Sequence, residues 1–413
     1  MLVQETLNTK LSNVLVHMED NRFQAKIIKQ GKLMQRLVQA FTIGLLLNSG
    51  KAVAQNNQIM LLEKRMDAIA EKSISPDGPG CSIGIIQNKA FIFKKSYGLA
   101  NIEHQIPLSS QSVFRMASVS KQFTAFAVLL LADDGAITLT DDIRQHLPEL
   151  QDYGRKISIN SILGHFSGLG DFEDHLNTLR ESPLSGFIIG SEQFVSNAEY
   201  YSVIKDFPLV HEPDTTMEYS NHGYIILAKL VERVSGMTIR EFTDKRIFKP
   251  LGMEHTFFSD SAEEVIPNRA SGYRSTEAGK QLNHLTALHT IGDGGLFTNV
   301  DDMLIWDNHF YTPKLGKDPE TLMSLMNKPN INIPESDEGK WYYANGQNTD
   351  GRYFFHNGGW VGTDTSYIRR PDTQTSVVGM CNSVSLSVND FTYATFEILA
   401  DLNLWDGEDP SVY

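Results

Sequence analysis

The distribution of strand patterns along the chain is the feature that most constrains its fold. Two apolar runs, Cys81–Gln87 and Lys89–Tyr97, are separated by a single residue, which predicts a hairpin. Three more strand patterns, bounded by Gly and Pro-Asp turn signals, follow near the other end of the chain: Arg352–His356, Asp364–Arg370 and Thr375–Cys381. The long middle, from about Ser112 to Trp306, is mostly helical and loop in character. This order predicts an α+β fold in which both ends of the chain contribute to one antiparallel five-stranded sheet.

Helical patterns precede and follow these strands. Gln58–Lys72 predicts a first helix, and Asn389–Leu402 predicts a final helix that packs on the sheet. The 413 residues, of which 41% are hydrophobic, are enough for one large core or two modest ones. No internal repeat or long Pro/Ser-rich linker divides the chain. We therefore predict an N-terminal helix and linker at 55–77, one main domain at 78–405 and a tail at 406–413.

The N-terminal 54 residues have the features of a secretory signal. Basic residues precede the mostly apolar run Leu37–Leu47, which leads to the A-x-A sequence Ala52–Ala54. The run is too short to span a bilayer, so we predict cleavage after Ala54, no stable membrane span, and a periplasmic or secreted protein. Because the basic region is unusually long, Met34 is a candidate for the true start. The alternative is an amphipathic helix pair retained on a cytosolic protein.

Charge and histidine spacing exclude several classes of function. The formal net charge is −14, and no basic run that could neutralise a phosphate backbone is present, so we expect no nucleic-acid partner. The twelve histidines lack H-x-x-x-H spacing, which disfavours a zinc hydrolase. No G-x-S-x-G sequence occurs, which disfavours an α/β-hydrolase.

Cys81 and Cys381 are the only cysteines, and each lies in a predicted strand. If the two strands are antiparallel neighbours, the start of one lies beside the end of the other and the two sulfurs come close. An oxidising compartment would then allow a disulfide. The alternative is two buried free thiols, because the sequence does not give the Cα separation.

A serine followed three residues later by a lysine, in Ser118–Lys121, is the strongest candidate for chemistry. Serine is a poor nucleophile at neutral pH and needs a base beside it. The apolar run Phe123–Ala132 predicts a helix that begins near Ser118, where the helix dipole favours negative charge. Lys121 would lie on the same helix face, and burial would lower its pKa. Ser202–Lys205 repeats this short pattern, and a helix N-cap serine is the alternative for Ser118.

The second motif, Tyr219–Asn221, follows a proline turn and leads into the apolar helical run Tyr224–Val234. A phenol close to Lys121 could share its proton, and Asn221 could hold the lysine or a substrate amide. The pattern is common, since Tyr343–Asn345 also matches it. The alternative is a turn capped by asparagine with a half-buried tyrosine.

The third motif, His356–Gly359, lies at the end of a predicted strand. Its two glycines would let a substrate backbone approach closely and leave the N–H of Gly359 free to bind an oxyanion. The N–H of Ser118 would be the second donor. His356 would present a weakly basic group to the polar end of a substrate. The alternative is a glycine-rich hairpin with an exposed histidine.

Together these residues resemble the serine β-lactamase and penicillin-binding hydrolase family, within it the class C β-lactamase-like branch that includes D-aminopeptidases, DD-peptidases and esterases. The similarity extends over about Gly80–Leu402. Four further segments occur in the order typical of the family: Phe114–Ala117, Ile162–Leu169, Pro250–Met253 and Gly294–Thr298.

The resemblance implies an acyl-enzyme on Ser118, proton transfer shared by Lys121 and Tyr219, and an oxyanion hole made by the amides of Ser118 and Gly359. It also implies a group of substrate-binding residues: Asn221, His356, Asn357 and Gly358. No metal or organic cofactor is implied. The expected partner is a small-molecule or peptide substrate, either peptidoglycan-derived or a β-lactam.

Two positions differ from the family pattern. His356 stands where β-lactamases of this family usually have lysine, and Asp214 stands where the family often has glycine. The missing cation favours an exported hydrolase of D-amino-acid peptides or esters. The alternatives are a true class C-like β-lactamase and a non-catalytic binding protein with the same fold.

Overall fold

The structure is a computed structural model that describes residues 29, 34, 56–171, 195–286, 288–330 and 341–405. The predicted signal peptide with its cleavage site at Ala54, the retained helix pair that was its alternative, and the tail 406–413 lie outside the described residues. The chain divides into two compact units, 1–61 and 62–413, and the second unit contains the sheet and the candidate site. No helix within the described ranges is long and apolar enough to cross a membrane.

The strands, in chain order, are β1 (Cys81–Gln87), β2 (Ala90–Tyr97), β3 (Leu99–Asn101), β4 (Ile106–Pro107), β5 (Phe114–Arg115), β6 (Val195–Ser196), β7 (Phe257–Phe258), β8 (Tyr273–Ser275), β9 (Gln281–Asn283), β10 (Leu288–His289), β11 (Leu296–Thr298), β12 (Tyr342–Tyr343), β13 (Asn348–Thr349), β14 (Phe354–Trp360), β15 (Thr363–Arg370) and β16 (Thr375–Cys381). The helices are α1 (56–73), α2 (Lys121–Asp133), α3 (Ile159–Leu163), α4 (Asn197–Ile204), α5 (Asn221–Ser235), α6 (Ile239–Thr243), α7 (Lys249–Leu251), α8 (Val300–Tyr311), α9 (Pro319–Met326) and α10 (Asn389–Asp401).

Both ends of the unit meet in one antiparallel sheet, which confirms the predicted α+β class. The strand order is β12-β13-β14-β15-β16-β1-β2, so the first long strand lies beside the last. The five predicted strands are consecutive in this order, from β14 to the edge strand β2, and β12 and β13 extend the sheet beyond β14. These two strands have only two residues each, which is too short for an alternating pattern to be recognised. The predicted first and final helices are also confirmed, as α1 and α10.

The third predicted strand is displaced along the chain. The pattern indicated Arg352–His356, whereas β14 covers Phe354–Trp360 and contains both glycines of the third motif. Gly358 and Gly359 pair with Thr365 and Asp364 of β15, so they continue the ladder rather than form a turn. The sheet neighbour supplies the hydrogen bonds that hold these glycines extended, a contribution that the local pattern does not contain.

Two close helix contacts define the faces of the sheet. A Cβ on Gly84 of β1 would contact Val300, the first residue of α8. A Cβ on Gly379 of β16 would contact Val388 and Thr392, at the start of α10. Gly379 is opposite Ile83, the neighbour of Gly84, so the two glycines point to opposite faces. The sheet therefore lies between α8 on one face and α10 on the other.

The buried helix α2 lies at the centre of the core behind the candidate site. Its residues from Lys121 to Leu131 are all buried, and the Phe123 ring packs at a tilt against Trp306 of α8, with ring centroids 4.4 Å apart. A continuous buried apolar segment of this kind is typical of a helix that is enclosed on every side. The middle of the chain also contains short strands, including the three-stranded sheet β5-β11-β7, which the mostly helical prediction did not include.

Cys81 and Cys381 form a disulfide, so the alternative of two free thiols is wrong. The two cysteines are opposite each other in the antiparallel pairing of β1 with β16, with their Cα atoms 4.0 Å apart. The two strands are antiparallel neighbours, which is the arrangement that the sequence analysis required for a disulfide.

Candidate active site

Ser118 lies at the junction between a strand and the buried helix α2. The chain leaves β5, passes through a short 3-10 turn at Ala117–Ser120, and enters α2 at Lys121. Ala117 has φ of +45°, in the left-handed region that non-glycine residues rarely adopt. Such backbone strain is often found at functional sites, where the surrounding structure maintains it. The sharp turn leaves Ser118 partly exposed at the start of a helix whose other side is buried.

Lys121 is fully buried beside Ser118. Its Nζ donates to Ser118 Oγ at 3.2 Å, to Asn221 Oδ1 at 2.8 Å and to the backbone carbonyl of Asp293 at 2.6 Å. A lysine ammonium has three N–H donors, so these three acceptors satisfy all of them. Burial lowers the pKa of Lys121 to about 8, and the carboxylates of Asp293 and Asp171 oppose that shift. Near neutral pH, about a tenth of such a lysine is the free amine.

Tyr219 approaches Ser118 from the other side. Its hydroxyl donates to Ser118 Oγ at 2.9 Å, and its ring centroid lies 4.8 Å from Lys121 Nζ. Burial raises the pKa of Tyr219 well above its ordinary value, so the phenol is a proton donor at neutral pH. One serine oxygen therefore has both an amine and a phenol within hydrogen-bonding distance.

Asn221 is the first residue of α5 and connects Lys121 to an acidic residue. Its Nδ2 donates to Asp171 Oδ2 at 2.8 Å, while its Oδ1 accepts from Lys121. Both ends of the amide are therefore occupied, which fixes its orientation. The contact with Lys121 positions the lysine, as the sequence had suggested.

A cavity of about 210 Å³ opens at Ser118. Its wall includes four of the predicted residues, Ser118, Tyr219, Asn221 and Gly359, and Lys121 contacts Ser118 from behind this wall. The wall also contains residues that sequence analysis did not single out as functional: Arg115, Ala117, Thr290, Asp293, Gly294 and Trp360. Arg115 and Asp293 are its charged members.

His356 does not reach this wall. It is 4% exposed, its Nδ1 pairs with the Asn357 carbonyl at 2.6 Å, and its Nε2 pairs with the Tyr343 hydroxyl at 3.0 Å. Burial and the nearby Lys121 ammonium lower the pKa of His356 to about 3, so the imidazole is neutral. The His356 ring lies beside Tyr219, with ring centroids 6.1 Å apart, and both of its nitrogens are paired within the protein.

Asn357 and Gly358 also lie outside the wall of the cavity. Gly358 instead allows a close approach, because a Cβ there would overlap the Met116 carbonyl oxygen and the Thr365 hydroxyl. The strand β14 thus contacts the segment just before Ser118. Gly359, the next residue, lines the cavity, and a Cβ on it would meet no described residue within 4 Å.

Asp214 has a left-handed backbone conformation, which accounts for the glycine that the family often has at this position. Its φ is +62°, in the left-handed region that glycine adopts freely and that aspartate tolerates better than most residues. The Ser161 hydroxyl donates to its carboxylate, and its own N–H donates to the Phe166 carbonyl at 2.8 Å. This departure leaves the turn intact.

The second copies of the first two motifs, Ser202–Lys205 and Tyr343–Asn345, lack the contacts seen at Ser118 and Tyr219. Ser202 is exposed on α4 and donates to the carbonyl of Glu199, while Lys205 pairs with Asp206. Tyr343 is buried, where its ring packs 4.2 Å from His165. Ser202 is therefore a useful control for Ser118.

Residues 61–401 match the Beta-lactamase family. The match covers most of the chain. This chain belongs to the Beta-lactamase family. The recognised strands, the serine with its lysine, and the tyrosine all lie within the matched region.

Curated relatives in the family include penicillin-binding proteins and peptidases. The chain is 27% identical over 312 residues to Penicillin-binding protein 4* of Bacillus subtilis, covering 70% of this chain and 65% of that one. It is 26% identical over 253 residues to D-aminopeptidase of Gluconobacter oxydans, covering 61% of this chain and 46% of that one. The chain thus spans between about half and two thirds of the length of these relatives.

Solved structures have the same fold. The octameric penicillin-binding protein homologue from Pyrococcus abyssi superposes with a TM-score of 0.70 at 22% identity, over 83% of this chain and 77% of that chain. The D-amino acid amidase from Ochrobactrum anthropi superposes with a TM-score of 0.66 at 21% identity, over 83% and 99% of the two chains.

Among the described residues, no group of His, Cys, Asp and Glu has the arrangement of a metal site.

Proposed function

We propose that this chain is an exported serine hydrolase that works through an acyl-enzyme on Ser118, on D-amino-acid peptides or esters. The observation that carries the proposal is the pair of contacts on Ser118 Oγ, from Lys121 at 3.2 Å and from Tyr219 at 2.9 Å, at the edge of a cavity. Nucleophilic catalysis by serine needs a hydroxyl with a base in reach and an opening for the acyl group.

Acylation begins with the fraction of molecules in which Lys121 is a free amine. The amine accepts the Ser118 proton as Oγ bonds to the substrate carbonyl carbon. Tyr219 then gives its proton to the leaving amine or alcohol as the scissile bond breaks, and it recovers a proton from Lys121. The raised pKa of Tyr219 suits a group that must keep a proton until the leaving group needs it.

The negative charge that develops on the carbonyl oxygen needs donors. The amides of Ser118 and Gly359 are the proposed pair, since both residues line the cavity and the start of α2 favours negative charge. Water then attacks the acyl carbon while Lys121 accepts its proton, and that proton is returned, directly or through Tyr219, to Ser118 Oγ as the acyl–oxygen bond breaks, which releases the acid product and free Ser118. No metal or organic cofactor enters this scheme.

Asn221 has a positioning role in the proposal. Its amide holds Lys121 and is itself held by Asp171, so it keeps the amine directed at Ser118. His356 supports the site from behind through Tyr343, and its neutral imidazole supplies no cation for an antibiotic carboxylate. This supports peptides or esters as substrates over a dedicated β-lactamase.

Two family relatives have names that fit this substrate class, D-aminopeptidase and D-amino acid amidase. The contacts among Ser118, Lys121 and Tyr219 also weigh against a non-catalytic binding protein. The disulfide between Cys81 and Cys381 supports export, because such bonds persist in oxidising compartments. The proposed catalytic domain is 78–405.

Intact-mass spectrometry tests the proposal. The purified protein is exposed separately to a fluorescent penicillin and to p-nitrophenyl esters, and we expect turnover of the esters with a transient acyl adduct on Ser118. A persistent penicillin adduct would indicate a penicillin-binding peptidase, and rapid penicillin hydrolysis would indicate a β-lactamase. The absence of both adducts and turnover would overturn the hydrolase proposal.

A further inference from the structure

Asp293 carries an unsatisfied carboxylate oxygen in the wall of the cavity. It is 8% exposed, and its Oδ1 has no hydrogen-bond partner among the residues that the structure describes. A buried carboxylate is costly unless hydrogen bonds or cations compensate it. Thr290 is a side-chain hydrogen-bond partner of Asp293, and the residue forms part of the cavity wall.

The backbone of Asp293 fixes its distance from the nucleophile. Its carbonyl accepts from Lys121 Nζ at 2.6 Å, and the same Nζ lies 3.2 Å from Ser118 Oγ. The backbone of Asp293 is therefore linked to Ser118 through two hydrogen bonds of Lys121. Asp293 and Ser118 also line the same cavity, which a substrate of Ser118 would enter.

Two cations act on Asp293, and neither uses this oxygen. Lys121 and Arg115 both favour the ionised carboxylate, while burial raises the pKa of Asp293. Lys121 donates to the backbone carbonyl of Asp293, and Arg115 Nε has no hydrogen-bond partner among the described residues. Asp171, the second acid that acts on Lys121, accepts a hydrogen bond from Asn221. Within the described part of the chain, Oδ1 of Asp293 is thus not paired with a cation.

From these contacts we infer that Asp293 binds the free α-ammonium group of the substrate, so that the preferred substrates are amides, esters or peptides with an unblocked amino-terminal residue. This inference rests on the proposed acyl-enzyme function. An ammonium donates up to three hydrogen bonds and carries the charge that a buried carboxylate lacks. In an α-amino acyl group the nitrogen is on the carbon next to the carbonyl, and Asp293 and Ser118 line the same cavity.

The test compares three p-nitroanilides built on the same three-carbon acyl chain: D-alanine p-nitroanilide, its N-acetyl derivative, and propionic acid p-nitroanilide, which lacks the amine. They are assayed with the wild type and with Asp293→Asn, Asp293→Ser and Asp293→Glu. Asp77→Asn, at an exposed acid outside the cavity, is the control for loss of one negative charge. Circular dichroism and thermal unfolding verify that each variant folds.

We expect the wild type to prefer the free amine, and Asp293→Asn to lower kcat/KM for that substrate about 10- to 100-fold, mainly through KM. The propionyl substrate should change far less, and Asp293→Glu should recover part of the loss. An effect of Asp293 on Lys121 alone would change all three substrates equally, so the difference between substrates isolates ammonium binding.

Equal losses for the free-amine and propionyl substrates in Asp293→Asn would overturn the inference while leaving the hydrolase proposal standing. Wild-type turnover without preference for the free amine would do the same. If the wild type cleaves none of the three anilides and no p-nitrophenyl ester, the hydrolase proposal itself fails, and the inference fails with it.

Discussion

His165 holds Tyr219 through the backbone on both sides of it. The His165 carbonyl accepts the N–H of Glu218 at 2.8 Å, and its ring Nδ1 accepts the N–H of Ser220 at 3.1 Å. The imidazole also packs against the phenol, with centroids 4.5 Å apart. Tyr219 therefore cannot shift along its loop without breaking bonds to His165, which makes His165 a positioning residue for the hydroxyl that contacts Ser118.

His165→Ala and His165→Asn should separate this role from simple packing. His165 has φ of +63°, which Asn tolerates, and the Asn carbonyl oxygen can replace Nδ1 as acceptor. Both variants lose the ring, but only Ala also loses the acceptor. We expect His165→Ala to lower kcat for a p-nitrophenyl ester about 10- to 100-fold with little change in KM, and His165→Asn to keep more of the rate. Equal rates in the two variants would contradict the role.

Ser118→Ala should abolish acylation while the protein stays folded. The hydroxyl is the proposed nucleophile, and its side chain is small and partly exposed, so its loss leaves little packing to repair. Intact mass after ester exposure should show no adduct. Ser202→Ala, in the repeated S-x-x-K pattern, is the matched control and should keep wild-type turnover; an adduct that persists in Ser118→Ala would refute the assignment of the nucleophile.

The pH dependence of kcat/KM should report Lys121. The proposed base acts as the free amine, and burial lowers its pKa to about 8. Below that value the lysine is protonated, so the rate should fall about tenfold per pH unit as pH decreases and level off above about pH 8. The pKa of His356 is lowered to about 3, so His356 should contribute no inflection near neutrality. Initial rates from pH 5 to 10 should show the same decrease below about pH 8 for the wild type and for His356→Gln. Loss of that decrease in His356→Gln would contradict this account.

Gly358→Ala and Gly359→Ala form a matched pair on neighbouring residues. A Cβ at Gly358 would overlap the carbonyl of Met116, just before the catalytic turn, whereas a Cβ at Gly359 would meet nothing within 4 Å. We expect Gly358→Ala to lose at least about tenfold in kcat and to unfold at a lower temperature. Gly359→Ala should keep the unfolding temperature of the wild type, because the added methyl group would overlap no described residue. Similar unfolding temperatures for both variants would argue against the close approach.

The disulfide should contribute measurably to stability. Cys81 and Cys381 are 300 positions apart, and a cross-link over a long loop reduces the entropy of the unfolded chain. The Cys81→Ser/Cys381→Ser double variant should be less stable than the wild type by about 2–4 kcal/mol in urea unfolding. Dithiothreitol should lower the stability of the wild type and leave that of the double variant unchanged. A wild type that is insensitive to reduction would contradict the prediction.

Much of the site is visible in the sequence because its chemistry is local. Ser118 and Lys121 are neighbours on one turn, and the buried helix that holds them is a continuous apolar run. The strands at both ends have clear alternating or apolar patterns, so their meeting in one sheet follows from few possible arrangements. The pairing of Cys81 with Cys381 needed a register that only the folded sheet supplies.

The remaining features depend on contacts between distant segments. His356 was predicted to bind substrate, and the sequence did not indicate that the Tyr343 hydroxyl and the Asn357 carbonyl would pair with its two ring nitrogens. Tyr343, which binds His356, belonged to a pattern set aside as a repeat. Asp293 was missed, although it is a lone charge in an otherwise uncharged glycine-rich segment, and that isolation was a usable signal.

The bond between Cys81 and Cys381 turns most of the folded unit into a covalent ring. One proteolytic cut anywhere between them opens the ring without releasing a fragment, so a nicked molecule keeps its mass apart from one added water until a reductant is present. Gel analysis under non-reducing conditions would therefore report this protein as intact after damage that reduction would expose at once.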